Sequence, residues 1–101
     1  MKAIQYEKDT VLIQEGKIKT WVDVVVDNGS LYVDWNKMAY YLWKKEDIIL
    51  REWHNNTENF DNATDLAVDT LLNLGIIYID DNDKWHRTEK YYTTEGSLPI
   101  E

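Results

Sequence analysis

The dipeptide Asn28-Gly29, set between apolar runs at 22–26 and 31–35, constrains this chain more than any other feature. Both central residues of a type I′ turn need positive φ, and Asn-Gly meets that need at little steric cost. A two-residue loop fixes the register of the strands it joins. Asp27 then faces Ser30, Val26 faces Leu31, Val24 faces Val33 and Val22 faces Trp35. Those apolar pairs share one face, which supports the register, because a one-residue slip would turn every side chain over. The other face pairs Val25 with Tyr32 and Asp23 with Asp34. Two carboxylates directly opposite repel.

A second turn precedes this hairpin. Read as a two-residue loop, Glu15-Gly16 places Ile13 opposite Ile18 and Val11 opposite Thr20, and brings Lys8 beside Asp23. The pattern predicts a three-stranded antiparallel meander with one buried face, and such a sheet needs a cover. Trp35, Met38, Ala39, Leu42, Ile49 and Trp53 lie on one helical stripe, with Asn36 or Asp34 available as its cap. Lys44-Lys45-Glu46-Asp47 interrupts the stripe, so one long bent helix and two short ones both fit. His54-Asn55-Asn56-Thr57 opens a polar loop.

Residues 61–80 read as helix, stop and strand. Ala63, Leu66, Ala67, Leu71 and Leu74 make a buried stripe over a helix at 62–74. Gly75 is placed for a left-handed stop, with Ile76 folding back on Leu71. Ile76 to Ile79 is a short strand, Asp81-Asn82-Asp83-Lys84 is turn chemistry, and 85–94 is the return strand. The fold class is α+β: meander, covering helix or helix pair, then a helix followed by a C-terminal β-hairpin. Residues 1–94 form one domain, and 95–101, which hold the only proline, form a flexible tail.

The charge is uneven. Residues 46–83 carry ten acids and one base, −9, while the rest of the chain carries nine acids and ten bases, +1. Asp61, Asp65 and Asp69 are four apart and stack on one helix face, where like charges cost a few tenths of a kcal/mol. An acidic surface repels nucleic acid and attracts basic surfaces; the competing reading is a solvated face kept for solubility. There is no cysteine, no apolar leader and no run of 18 apolar residues, so a cytoplasmic protein with no membrane partner is expected. The sequons at Asn55 and Asn62 are then chance matches.

A search for chemistry finds little. His54 and His86 have no partner at ligand spacing, and both read as surface histidines. The 80–83 cluster lacks the glycine and glutamate of a calcium loop. Asp23 and Asp34 as an acid–base pair would sit on an open sheet face, with no apolar pocket to raise a pKa. No cofactor, metal or catalytic residue is expected. Thirteen aromatics, five of them Trp, exceed what the stripes bury. The surplus suits binding hot spots or a homodimer seam.

The run from Thr64 to Tyr92, TDLAVDTLLNLGIIYIDDNDKWHRTEKYY, resembles the second half of a winged-helix domain: a helix, a Leu-x-x-Leu-Gly-Ile-Ile close, then a hairpin wing. The resemblance implies a helix that enters the major groove and a wing that touches phosphates, with Lys84, Arg87 and Lys90 the favourable residues. A winged-helix DNA-binding regulator is therefore the alternative function. The first expectation is a small acidic non-enzymatic module that inhibits or regulates a basic protein, one that itself binds nucleic acid, by presenting a nucleic-acid-like surface. It binds no nucleic acid directly. By analogy, small proteins of this kind are carried by viruses and mobile elements. Glu58, Asp61, Asp65, Asp69, Asp80, Asp81, Asp83 and Trp85 are the expected partner-binding residues.

Overall fold

The computed structural model describes residues 1–93, so the expected tail at 95–101 lies outside the described residues. In chain order the elements are β1 (Lys2–Gln5), β2 (Thr10–Glu15), β3 (Ile18–Asp27), β4 (Ser30–Trp35), α1 (Lys37–Lys44), α2 (Ile48–Asn55), α3 (Thr57–Asn73), β5 (Ile77–Ile79), β6 (Trp85–Arg87) and α4 (Glu89–Thr93). The first four strands form one antiparallel meander in sequence order, and β5 pairs with β6 in a separate hairpin. The class is α+β, as the pattern predicts, with four strands in the meander instead of three. The extra strand arises because the chain reverses at 6–9, where Tyr6 N and Glu7 N both donate to Thr10 O at 2.8 and 3.1 Å. That turn contains neither glycine nor proline, so composition does not announce it.

Asn28 and Gly29 adopt φ of 52° and 83°, and every predicted β3–β4 pair is present, from Asp27↔Ser30 to Val22↔Trp35. A Cβ at Gly29 would also meet the Lys84 side chain at 3.1 Å. That side chain is flexible and can give way; the positive φ cannot. Gly29→Val is expected to destabilise by about 1–2 kcal/mol or more, read as a lowered denaturation midpoint. An unchanged midpoint would contradict this turn.

The earlier turn is Gly16-Lys17, not Glu15-Gly16. Glu15 faces Ile18, Ile13 faces Thr20 and Val11 faces Val22. Gly16 takes φ of 59° and Lys17 keeps a negative φ, which suits a II′ turn with glycine at its first central position. The shift is two residues, so each side chain keeps its face while its partner changes. Asp23 consequently meets Thr10, whose Oγ1 donates to it at 2.8 Å, in place of Lys8.

Both faces of the sheet are covered, and α3 is the principal lid. It crosses β1, β2 and β3. Ala63, Ala67 and Leu71, spaced four apart with no exposed surface, join Val11, Ile13, Val22 and Val24 in one core. The alanines let helix and sheet approach closely. Leu74, by contrast, is 43% exposed, and Leu66 is half-buried. On the opposite face Tyr6, Leu12 and Trp21 are buried beneath Met38 and Leu42 of α1.

The segment between the meander and α3 forms two short helices. Lys45 closes α1, Glu46 takes φ of 66°, and Asp47 Oδ1 caps α2 by accepting from Leu50 N at 2.9 Å. The break resets the helical phase, so Leu50 is buried while Ile49, expected on the stripe, is 69% exposed. Asn36 is the cap of α1, accepting from Met38 N at 2.8 Å. The expected polar loop after His54 is helical instead. Asn56 ends α2 and begins α3, its side chain accepting from Glu58 N, so α3 starts five residues before the expected position 62.

The helix stop is as predicted. Ile76 N donates to Leu71 O and Gly75 N to Leu72 O, both at 3.0 Å, with Gly75 at φ of 73°. This is the paired bonding of a Schellman motif, and Ile76 and Leu71 are both core. The return strand is shorter than predicted. Thr88 donates through N to Ile76 O and through Oγ1 to Gly75 O, tying the chain to the head of β5. α4 then replaces residues 89–93 of the expected strand. Among the described residues no helix is long and apolar enough to cross a membrane.

Candidate functional site

Asp61, Asp65 and Asp69 stand two residues from Phe60's successors Ala63, Ala67 and Leu71, about 200° around the helix. Burying the alanine ridge therefore forces the aspartates outward, and all three are exposed. Glu58, in the first turn, is exposed too. Because α3 begins at Thr57, only Glu58 lies within reach of the positive helix end; the dipole fades beyond the first turn. The three aspartates therefore have no helical field to favour them. None of the four acids forms an ion pair with a described residue. Asp65 and Asp69, with Asn59, Asn62, Leu66, Glu15 and Met1, line an open groove of 440 Å³ between α3 and the neighbouring end of the meander.

Exposed carboxylates contribute little to folding. Asp69→Asn is expected to change stability by less than about 0.5 kcal/mol, or to raise it slightly by relieving repulsion along the stripe. Chemical denaturation checks this. A loss above about 1 kcal/mol would mean that Asp69 holds the fold together.

The hairpin acids are a different case. Asp80 Oδ1 accepts from Asn82 N at 2.8 Å and Lys84 N at 3.0 Å, while Oδ2 meets His86 Nε2 at 2.6 Å. The His86 bond, then the Lys84 N–H, holds its carboxyl below the usual range. Asp80 thus organises the turn. Asp81 and Asp83 are exposed, and Asp83 sits at φ of 60°, a conformation Asp tolerates better than most residues. Trp85 packs on the core, and its backbone N–H donates to Gly29 O at 2.9 Å. It docks the hairpin to the meander and is not a free anchor. Of the eight expected contact residues, Glu58, Asp61, Asp65 and Asp69 share one helix, Asp81 and Asp83 share a turn, and Asp80 and Trp85 are engaged inside the fold.

The part of the meander's second face that α1 leaves uncovered carries the Asp23–Asp34 pair, and each carboxylate accepts hydrogen bonds of its own. Asp23 Oδ1 accepts from Thr10 Oγ1 and Asn36 Nδ2, both at 2.8 Å. Asp34 Oδ1 accepts from Trp35 N at 2.7 Å and Tyr40 Oη at 3.1 Å. Burial, then Asp34, pushes the Tyr40 phenol up. The donors come from the start of β2, the end of β4, the α1 cap and α1 itself.

Sequence reasoning placed His54 on the surface. It is half-buried, stacked on Trp35 at 4.2 Å between ring centres, near Trp53, and held by Thr20 Oγ1 at 2.8 Å from Nε2. Thr20 has no exposed surface. The signal available was the spacing of His54 from Leu50, one helical turn on the buried side. Among the described residues no cluster of His, Cys, Asp or Glu could hold a metal ion.

The chain matches no family model, no curated protein and no solved structure.

Proposed function

We propose that the protein is a small acidic binding module, acting in the cytoplasm without catalysis, whose α3 face docks on a basic protein. One observation carries this reading: Asp61, Asp65 and Asp69 form an exposed row in mid-helix, beyond the reach of the helix end and without a salt bridge to a described residue. A row kept at a cost of tenths of a kcal/mol is accounted for by a partner that supplies the cations. Asp81 and Asp83 extend the acidic character to the hairpin turn.

A basic partner that normally binds nucleic acid fits the sign of this surface. The row is sparse beside a duplex, however. Residues four apart rise about 6 Å along the axis, against about one charge per 1.7 Å of duplex. The α3 row alone thus offers about half the charge density of one strand, and the reading rests on a basic groove or arm, not on replacement of a whole duplex.

The winged-helix alternative has the helix, stop and hairpin in the expected order, yet the helix face that would enter the groove bears the aspartates. Direct binding to duplex DNA at physiological salt is expected to be absent. Non-specific binders reach Kd of about 10⁻⁴–10⁻⁶ M there, by neutralising phosphates. Titration of labelled random duplex, beside titration of a short poly-arginine peptide, tests the reading. Binding of the peptide alone supports it. Binding of the duplex with a steep salt dependence would replace it with the regulator.

A further inference from the structure

β4 is an edge strand of the meander. Its backbone runs beside β3, α3 crosses the other three strands, and its outer edge pairs with no described strand. The turn decides which groups lie on that edge. Asp27 and Ser30 flank a two-residue loop and so exchange backbone bonds, as do Val25 with Tyr32 and Asp23 with Asp34. The bond from Asn36 N to Trp21 O at 2.9 Å continues the alternation. The N–H and C=O groups of Leu31, Val33 and Trp35 therefore point away from β3. Asp34 Oδ1 takes the Trp35 N–H at 2.7 Å and closes that end.

What remains open is a short edge, Leu31 and Val33, centred on Tyr32. Leu31 and Val33 lie on the core face but are only half-buried, and Tyr32 on the other face is 58% exposed. Beside Tyr32 runs a groove of 510 Å³ bounded by Asp34, Lys37 and Tyr40.

We propose that this edge binds the same edge of a second copy, antiparallel about Tyr32, joining two meanders into one eight-stranded sheet. The edge is complementary to itself. With Tyr32 opposite its own symmetry mate, Leu31 of each copy faces Val33 of the other in a hydrogen-bonding position, and the four outward groups on each side are used. Asp34 then faces Ser30, so no carboxylates meet. A register centred on Val33 would instead require the Trp35 N–H that Asp34 already holds; one centred on Asp34 would oppose two carboxylates. The two Tyr32 rings fall in a non-hydrogen-bonded pair, where side chains lie closest. The other edge is less suited: β1 begins with the charge of Lys2, and α3 packs over it. So short an edge buries less than the roughly 1,200–2,000 Å² of a standard interface, so the dimer is weak and concentration-dependent.

Sedimentation velocity over a concentration series, joined to thiol cross-linking, tests this. The wild type is expected to shift from monomer towards twice the mass as concentration rises to the millimolar range. Tyr32→Lys, which sets like charges opposite each other at an exposed site, is expected to stay monomeric with an unchanged melting temperature. The chain has no cysteine, so a single introduced thiol reports one position. Under oxidation Tyr32→Cys is expected to give a disulfide-linked dimer, because directly paired strand residues lie within disulfide reach. Ser30→Cys, offset by four residues from its mate, is expected to cross-link about tenfold more slowly. A wild type that stays monomeric throughout, whether or not foreign peptides add to the edge, would overturn the proposal. So would equal cross-linking from the two thiols.

Discussion

Trp35→Ala is expected to lower the free energy of unfolding by about 3–5 kcal/mol, the range for removing a buried tryptophan. Trp35 ends β4 and is 8% exposed. Its ring lies 5.7 Å from Trp53 and 4.2 Å from His54 of α2, and 5.1 Å edge-on from Phe60 of α3. One side chain thus joins the sheet to two helices, and its removal leaves a cavity that none of them can fill alone. Small domains are stable by about 5–15 kcal/mol, so the variant would sit close to unfolding. Urea denaturation of Trp35→Ala beside Tyr41→Ala, which is 58% exposed, measures the effect. The Tyr41 change is expected to stay within about 0.5 kcal/mol. Similar small losses in both would show that the sheet and helices do not meet through Trp35.

The second large effect is on pH. Burial lowers the His54 pKa to about 4, and Asp47 opposes this only in part. The geometry agrees: Nε2 is engaged by Thr20, and Nδ1 is buried without a partner among the described residues, so an added proton finds no acceptor. An unfolded histidine titrates near 6.5. The folded value lies below the unfolded one, so the unfolded chain takes up the proton first as pH falls. Stability is full above about pH 6.5 and is lost progressively towards pH 4. The loss is on the order of 2 kcal/mol once solvent screening of this half-buried ring is allowed for. Unfolding free energies of wild type and His54→Gln at several values between pH 7 and 4.5 check this. The variant is expected to show a flatter slope, whatever its absolute stability. Parallel slopes would place His54 in contact with solvent.

The β3–β4 hairpin was legible because a type I′ turn leaves one register, and Asn-Gly leaves little doubt about the turn. The neighbouring turn was misplaced by one residue because glycine can serve at either central position of a two-residue loop; strand parity survived and the pairings did not. The reversal at 6–9 was illegible because it depends on backbone bonds to Thr10 O, which no side chain in 6–9 advertises. The stripe of the helical lid was legible at Ala63, Ala67 and Leu71; Leu66 and Leu74 fall outside it, because close packing on the sheet runs along the ridge of residues four apart that the small alanines open. At the site, the exposure of Asp61, Asp65 and Asp69 followed from helical period alone. The engagement of Asp80 by His86 and of Trp85 by Gly29 did not, since the first depends on the turn geometry within the hairpin and the second on how the hairpin docks.

The most direct test of the α3 surface is the rate at which it meets a basic ligand. Asp61, Asp65 and Asp69 changed together to Asn remove three charges from one face. A control with Glu7→Gln, Asp27→Asn and Glu52→Gln, all exposed, removes three from elsewhere. Both variants have the same net charge, so non-specific attraction is matched. Association rates with a short poly-arginine peptide, and with any basic protein recovered on the wild type, are measured at low and at physiological salt. The acidic face as a docking surface predicts that the α3 variant associates severalfold more slowly than the control and loses most of its salt dependence. Equal rates and equal salt slopes for the two variants would contradict it.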